Sequence, residues 1–363
     1  MSGRRQPANT IYCRNKLICM FHVISRRSFL CNVPVLLSTA AWLKAAAAAP
    51  DSGFIMTVTG PIKPTDLGTT LPHEHVLVDF IGADKISRNR YDEDEAYNTV
   101  LPHLLSLREH GGRSMMECTP DFLGRNVRLL QRLSVGSGIH LVTNTGLYGA
   151  GNHKYLPAYV QHESAEQLSK RWIREWTHGI EDTRIKPGFI KSGVDNGPLS
   201  SLQRKLVEAA ALTFKQTGLP IGIHTGNGAA AREEVEILQA NGVPLHAYIW
   251  IHAQNEKDAA IHEQLAKAGA WISFDGINKT NAAAECTRLS NLKTAGLLQH
   301  ILLSQDAGWY NVGQRNGGQF RDYSYLLASF VPMLRQRGFT DADIHLLTVE
   351  NPARAFTIHT VNN

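Results

Sequence analysis

The chain has 363 residues, of which 43% are hydrophobic and 19% charged, with 30 glycines, 15 prolines and five cysteines. This composition excludes a disordered, collagen-like or disulfide-dense protein. The formal charge of +5 comes from the first 50 residues, which hold seven basic side chains and no acidic one, leaving 30 basic and 32 acidic residues, a net −2, in the rest. Because binding to a nucleic-acid backbone needs a surplus of cations, we do not expect nucleic acid as a partner.

The first 50 residues have the pattern of an export signal. The run Ser-Arg-Arg-Ser-Phe-Leu at 25–30 resembles the twin-arginine consensus, and an apolar run at 33–43 and an alanine tract at 45–49 follow it. The apolar run is too short for a stable membrane span, which needs about 20 residues, and the small residues suit a signal peptidase. We therefore predict that residues 1–50 are a twin-arginine signal and N-terminal extension, with Met20 as an alternative start. The mature protein is then periplasmic or secreted; a short membrane anchor or a disordered tail is the alternative.

From residue 51 onward, short apolar runs alternate with longer helical patterns. The runs are 58–80, 114–119, 140–145, 188–191, 220–225, 247–252, 270–275 and 300–306. Eight alternations in roughly 310 residues predict one α/β domain over residues 51–363, a (β/α)8 TIM barrel, because that fold takes about 250 residues plus insertions. A doubly wound open sheet is the alternative on the pattern alone.

Nearly all of these runs end in a polar side chain that can take part in catalysis or bind a metal ion. These side chains are His73 and His75, Glu117, Asn144, Lys191, His224, His252, Asp275 and Asp306. Because barrel enzymes build their active sites at the carboxyl ends of the strands, this recurrence predicts a site there. His73 and His75 alternate with Glu74 along one strand, so both imidazoles point to the same face, about 7 Å apart, and can hold one metal ion.

The order of these residues resembles the phosphotriesterase family of the amidohydrolase superfamily. The resemblance runs from about residue 57 to 356 and includes T-L-P-H-E-H at 70–75, T-G-L-Y at 145–148, G-I-E-D-T at 179–183 and N-P-A-R-A-F at 351–356. It implies a zinc-dependent hydrolase that cleaves an ester bond in a small molecule, a phosphotriester or a related ester. A lactonase or carboxylic esterase and an amidohydrolase are alternatives on the same metal site, and a non-catalytic metal-dependent binding protein is a different class.

Carried over by position, the resemblance also implies the ligand set. His73, His75 and Asp306 would hold one divalent ion, His224 and His252 the other, and Lys191 would bridge both as an N-carboxylated lysine. Two cations would expel the proton of a buried ammonium, and the neutral amine can then add carbon dioxide. Zinc suits these ligands, and manganese, cobalt or iron also fit. Ions ~3.5–4 Å apart turn shared water into hydroxide, whose proton Asp306 would accept during attack.

Two positions depart from the organophosphate-cleaving pattern of that family. Asn255 stands where those members have a proton-relay aspartate, and Gly276 stands where they have a relay histidine after Asp275. We therefore hypothesise that Asp306 passes its proton to Asp275 or directly to solvent.

The substrate contacts expected from position are Tyr148, Asp275, Trp309 and Tyr310. For Tyr148, a role in packing is an equal alternative. Loops at 149–160, 278–296 and 308–322 are long enough to form a lid that selects the substrate. The resemblance also makes a homodimer a possible assembly.

Overall fold

The computed structural model describes residues 53–359. The export signal and the domain boundary after residue 50 fall outside the described residues and stay predictions. Within 53–359, no helix combines the length and the apolar character that a membrane span requires.

A short antiparallel hairpin precedes the main sheet, and parallel strands then form a barrel. The strands are β1 (Ile55–Thr57), β2 (Gly60–Ile62), β3 (Thr70–Val78), β4 (Ser114–Glu117), β5 (His140–Val142), β6 (Asn144–Thr145), β7 (Phe189–Gly193), β8 (Ile221–His224), β9 (Tyr248–Ile251), β10 (Trp271–Phe274), β11 (Ile301–Leu303) and β12 (Gly308–Asn311). From β3 to β11 each barrel strand pairs in parallel with the next, apart from an interruption at Thr143 that divides the third barrel strand into β5 and β6.

The barrel closes where the last strand meets the first. β12 pairs in parallel with β3, with Gly308 opposite His75. Just before β12, the amide of Asp306 donates to the carbonyl of His73 at 3.2 Å, and the amide of His75 donates to the carbonyl of Ala307 at 3.0 Å. The eighth barrel strand therefore consists of β11 and β12 with the turn 304–307 between them. The predicted (β/α)8 barrel is confirmed.

Helices cover the outside of the barrel. They are α1 (Glu93–Glu109), α2 (Val127–Ser137), α3 (Ala165–His178), α4 (Ser201–Thr217), α5 (Gly228–Ala240), α6 (Ala259–Lys267), α7 (Ala282–Thr294), α8 (Val331–Gln336), α9 (Asp341–His345) and α10 (Asn351–Phe356). Local sequence fixes their ends: Ser164 and Ser200 begin α3 and α4 with capping boxes, and Gly138 and Gly218 end α2 and α4 in the left-handed region.

Two segments predicted as lid loops contain regular structure. The segment 278–296 holds α7, which packs Cys286 and Leu289 into the core with no exposed surface. The segment 308–322 begins with β12. Its Gly-Trp-Tyr-Asn sequence lacks the apolar run of a buried strand, so hydrophobic pattern alone could not find it.

Candidate metal centre

All six predicted metal ligands line one cavity of about 250 Å³. β3 carries two of them, two more lie in β7 and β8, one directly follows β9, and Asp306 lies in the turn 304–307 after β11. The cavity is lined by His73, His75, Val78, Phe80, Cys118, Leu123, Tyr148, Gly151, Tyr155, Lys191, His224, His252, Asp306 and Trp309. The carboxyl ends of the barrel strands thus bring these side chains together from distant parts of the chain.

Three of the six side chains converge at the floor of the cavity. The Nε2 atoms of His73 and His75 are 3.3 Å apart, and Oδ1 of Asp306 lies 3.1 Å from Nε2 of His75 and 3.7 Å from Nε2 of His73. The Nδ1 atom of His75 lies 2.8 Å from the hydroxyl of Thr119, and Nδ1 of His73 lies 2.9 Å from Asp275. With the protons on Nδ1, both Nε2 lone pairs face Asp306.

This cluster fits a metal ion because its inward-facing atoms are all electron-pair donors. Oδ1 of Asp306 is buried and has no hydrogen-bond partner within residues 53–359. Burial lowers the pKa of His75 to about 4, so its imidazole is neutral. A buried acceptor without a donor is costly, and a cation would satisfy all three groups at once.

His224 and His252 form the neighbouring part of the cavity. Their ring centroids are 4.5 Å apart, and the His252 ring lies 4.9 Å from that of His73. Burial lowers the pKa of His224 well below its ordinary value, which leaves the ring neutral. Nδ1 of His252 lies 2.6 Å from Oδ1 of Asp275, so Nε2 is the ring nitrogen left to bind an ion.

Lys191 is 1% exposed and lines the same cavity. Burial lowers the pKa of its amine, which donates to the carbonyl of Ser192 at 3.2 Å and lies 5.5 Å from the centre of the Tyr148 ring. A buried, weakly basic amine is the state of lysine that can react with carbon dioxide.

Asp275 lies behind the histidines and does not line the cavity, so the predicted substrate contact is wrong. The carboxylate has no exposed surface and accepts hydrogen bonds from Nδ1 of His73, Nδ1 of His252 and the hydroxyl of Ser273. The backbone amide of His252 and the side chain of Gln254 also donate to it. Asp275 therefore fixes the orientation and the proton position of two candidate ligands.

Glu74, on the opposite face of β3, holds the turn that carries Asp306. Its carboxyl group accepts from the Ser304 hydroxyl at 2.8 Å, the Gln305 amide at 3.0 Å and the Ala307 amide at 2.5 Å. Burial raises the pKa of Glu74 to about 8. The alternation of side chains along the strand predicted that Glu74 points away from the histidines, but its partners lie too far away in the sequence for the pattern to reveal them.

Aromatic rings surround the candidate metal ligands. Trp309 lies 5.6 Å from His75 and 5.5 Å from Phe80 between ring centroids, and Tyr155 lies 5.8 Å from Tyr148. Phe80 and Tyr155 were not among the predicted contacts; both stand in connections whose shape depends on the tertiary structure. We call these four residues, Phe80, Tyr148, Tyr155 and Trp309, the aromatic collar.

Tyr310 points away from the collar, so the predicted substrate contact there is wrong. Side chains alternate along β12, and Tyr310 is therefore opposite in direction to Trp309. Tyr310 is 4% exposed, and its hydroxyl donates to Oε1 of Glu95 at 2.6 Å.

The barrel and the cluster at its carboxyl end define a metal-dependent hydrolase. The family model described as the phosphotriesterase family matches residues 53–356, and the chain belongs to that family. A phosphotriesterase homology protein of Escherichia coli (strain K12) is 32% identical over 80% of this chain and 98% of its own length. An N-acetyltaurine hydrolase of Rattus norvegicus is 27% identical over 84% of this chain and 98% of its own length.

Two solved structures share the fold closely. A lactonase from Listeria monocytogenes has a TM-score of 0.73 at 26% identity, covering 85% of this chain and 100% of its own. An organophosphorus hydrolase from Deinococcus radiodurans has a TM-score of 0.76 at 25% identity, covering 85% and 98%. Proteins similar to this chain thus carry names for three different hydrolytic reactions.

Proposed function

We propose that this protein hydrolyses an ester bond in a small uncharged molecule, either a phosphotriester or a lactone or other carboxylic ester. Two divalent ions, for which zinc suits the imidazoles and carboxylate best, would be its resident cofactor. The observation that carries the proposal is the meeting of all six candidate ligands in one cavity. His73, His75 and Asp306 would hold one ion, His224 and His252 the other, and N-carboxylated Lys191 would bridge them.

Bound there, the ions would polarise the substrate oxygen and acidify water. Burial lowers the pKa of Lys191, which favours the neutral amine; that amine would add carbon dioxide through Nζ and release one proton, giving a carbamate with one negative charge. Among the described residues, Oδ1 of Asp306 is buried without a hydrogen-bond partner, so its lone pairs would be available to an ion and, during attack, to a proton.

The proton accepted by Asp306 would pass to solvent rather than to Asp275. The Asp306 side chain is 23% exposed, whereas Asp275 has no exposed surface and is surrounded by donors. Asn255, at the position of the missing relay aspartate, is exposed to solvent. These placements favour the second of the two proton routes that the sequence left open.

The cavity wall supports an uncharged substrate with apolar substituents. Val78, Leu123 and the aromatic collar are six of the fourteen lining residues, and Lys191 is the one basic side chain besides histidine among the described residues that line the cavity. Arg321 and Lys154 lie against the outer collar rings Trp309 and Tyr155, at 4.9 Å and 5.4 Å, but are not among the lining residues.

A screen of the metal-reconstituted mature protein tests the proposal. The substrates would be an aryl phosphotriester, a lactone, an aryl acetate and an N-acetyl anilide of matched size, with Lys191→Ala as the blank. We expect turnover of at least one ester that requires metal and disappears in the blank. Ester turnover that survives Lys191→Ala would contradict the mechanism, and absence of any turnover would favour the binding-protein alternative.

Amide hydrolysis is the second candidate, and the N-acetyltaurine hydrolases support it because they match over most of this chain. In the same screen, hydrolysis of the anilide without hydrolysis of either carboxylic ester or the phosphotriester would establish that candidate instead.

Tyr148 offers a prediction about substrate orientation. Its ring lies 5.0 Å from His224, and burial raises the pKa of its phenol, so the hydroxyl is protonated and can donate to a substrate oxygen. Losing one neutral hydrogen bond costs ~0.5–1.5 kcal/mol, so we expect Tyr148→Phe to lower kcat/KM by about 2- to 12-fold. Tyr159→Phe, outside the cavity, is the control. An unchanged kcat/KM in Tyr148→Phe would show that Tyr148 only packs.

A further inference from the structure

Gln254 makes a two-point contact with Asp275 directly beside the candidate metal centre. Its Nε2 donates to Oδ1 of Asp275 at 3.1 Å, and its Oε1 accepts from the backbone amide of Asp275 at 3.2 Å. Gln254 stands in the short 3-10 turn Ala253–Asn255 that follows His252. The side-chain amide therefore joins this turn to the end of β10.

Asp275 in turn controls His252, whose backbone is strained. His252 has a φ of 62°, in the left-handed region, which is costly for a residue other than glycine. Oδ1 of Asp275 accepts from Nδ1 of His252 at 2.6 Å, and the backbone amide of His252 lies 3.2 Å from both carboxylate oxygens. The position of this one carboxylate thus decides where Nε2 of His252 points.

Gly276 supplies the space that the Gln254 amide occupies. A Cβ added at Gly276 would lie 2.7 Å from Nε2 of Gln254 and 3.4 Å from its Cδ. The φ of Gly276 is not in the left-handed region, so the backbone conformation does not require glycine there. A side chain at 276 would instead push the neighbouring Gln254 amide out of its place.

We propose that Gln254 is a positioning residue: it fixes Asp275, and through it His252 and His73, and Gly276 stays without a side chain to make room for it. The proposal rests on the proposed metal-binding function of the two histidines. It also gives a physical reason for the departure at 276, because a side chain at that position would displace the Gln254 amide from Asp275. Gln254 itself touches neither the cavity nor a substrate.

A double-mutant cycle tests the proposal. The wild type, Gln254→Ala, Gly276→Ala and the double variant would be loaded with Co²⁺, and the loss of its visible absorption to a chelator would be timed. Mutation of a residue that orients a metal ligand changes metal affinity by about 10- to 100-fold. Gln254 contacts such a residue and not a ligand, so its effect should lie at the lower end. We therefore expect Co²⁺ to be released about tenfold faster from either single variant. The double variant should release no faster than Gln254→Ala, because the collision at 276 is gone.

Asn255→Ala is the matched control, because this neighbour is exposed. It should release Co²⁺ at the wild-type rate, and thermal unfolding of every variant would show whether the fold is intact. Wild-type release from Gln254→Ala, or losses that add in the double variant, would overturn the proposal.

A second readout keeps the inference separate from the proposed function. In ¹⁵N-labelled metal-free protein, the Nδ1–H proton of His252 should be protected from exchange in the wild type and lose that protection in Gln254→Ala. If the wild type does not retain Co²⁺, the proposed function fails, and this measurement still decides whether Gln254 positions His252. Equal protection in both chains would overturn the inference.

Discussion

Replacing Lys191 by alanine is expected to lower kcat/KM for the best ester substrate by about 10³-fold or more. The side chain is buried among the candidate ligands, and as a carbamate it would supply two oxygens to the two ions. A metal centre contributes several kcal/mol to the stabilisation of the transition state, and ~4 kcal/mol corresponds to about 10³ in rate. Lys191→Ala should also bind fewer than two ions per chain.

The measurement combines steady-state kinetics with elemental analysis of the dialysed protein. Lys215→Ala, an exposed lysine near the end of α4, is the matched control and should behave as the wild type. Reconstitution of the wild type in buffer free of carbon dioxide should be slow and should recover on addition of bicarbonate. Full activity of Lys191→Ala with two bound ions would show that the lysine does not bridge them.

Replacing Asp275 by asparagine is expected to weaken metal binding by about 100-fold, the upper end of the effect for groups that orient metal ligands. In the wild type, Oδ2 of Asp275 faces Nδ1 of His73 at 2.9 Å and Oδ1 faces Nδ1 of His252 at 2.6 Å. An asparagine amide would point its NH2 group at one of them. That histidine would have to move its proton to Nε2, the atom that faces the metal site.

Metal titration and pH profiles distinguish this positioning role from a proton relay. With a relay role, Asp275→Asn would keep two tightly bound ions and change the pH dependence of kcat. With the positioning role, Asp275→Asn would bind metal more weakly, and excess metal would restore part of its activity. Asp79→Asn is the control, since Asp79 is also buried at the end of a barrel strand but pairs with Arg90. Wild-type metal affinity in Asp275→Asn would contradict the positioning role.

Part of the site could be predicted because a barrel strand ends at the same face each time. The period of the pattern and the rule for barrel enzymes were enough to place residues such as Lys191 and His224 at this end, whereas their roles as metal ligands came from the resemblance to the phosphotriesterase family. The structure brings all six predicted ligands to one cavity. The assignment of Asp275 to the substrate failed because tertiary contacts determine where its side chain lies. Asp275 follows a strand as the ligands do, but its carboxylate accepts hydrogen bonds from five donors behind the histidines.

The wrong assignment of Tyr310 as a substrate contact has a different cause. Residues 308–322 looked like a loop, so the alternation rule was not applied to Trp309 and Tyr310, and both were assigned to the substrate. β12 is held by backbone pairing with β3, which no side-chain pattern records. Thr119, which contacts His75, and Gln254, which contacts Asp275, were also missed because their contacts join distant segments or depend on the shape of a turn.

Backbone strain accompanies three residues of the cavity. His252, Asp306 and Trp309 have φ values of 62°, 50° and 76°. Such conformations cost ~1–3 kcal/mol each and persist only where the surroundings enforce them. Asp275 enforces the first, and the hydrogen bonds of Glu74 to the turn 304–307 enforce the second. The fold therefore gives up stability to aim these side chains at one point.

Anomalous diffraction from crystals of the metal-loaded protein tests the central claim most directly. We predict two peaks ~3.5–4 Å apart in the cavity, one bonded to His73, His75 and Asp306 and the other to His224 and His252, with a carboxylated Lys191 between them. A peak at any other place in the chain, a single peak at full occupancy of metal, or one of these six side chains turned out of the cavity would contradict it.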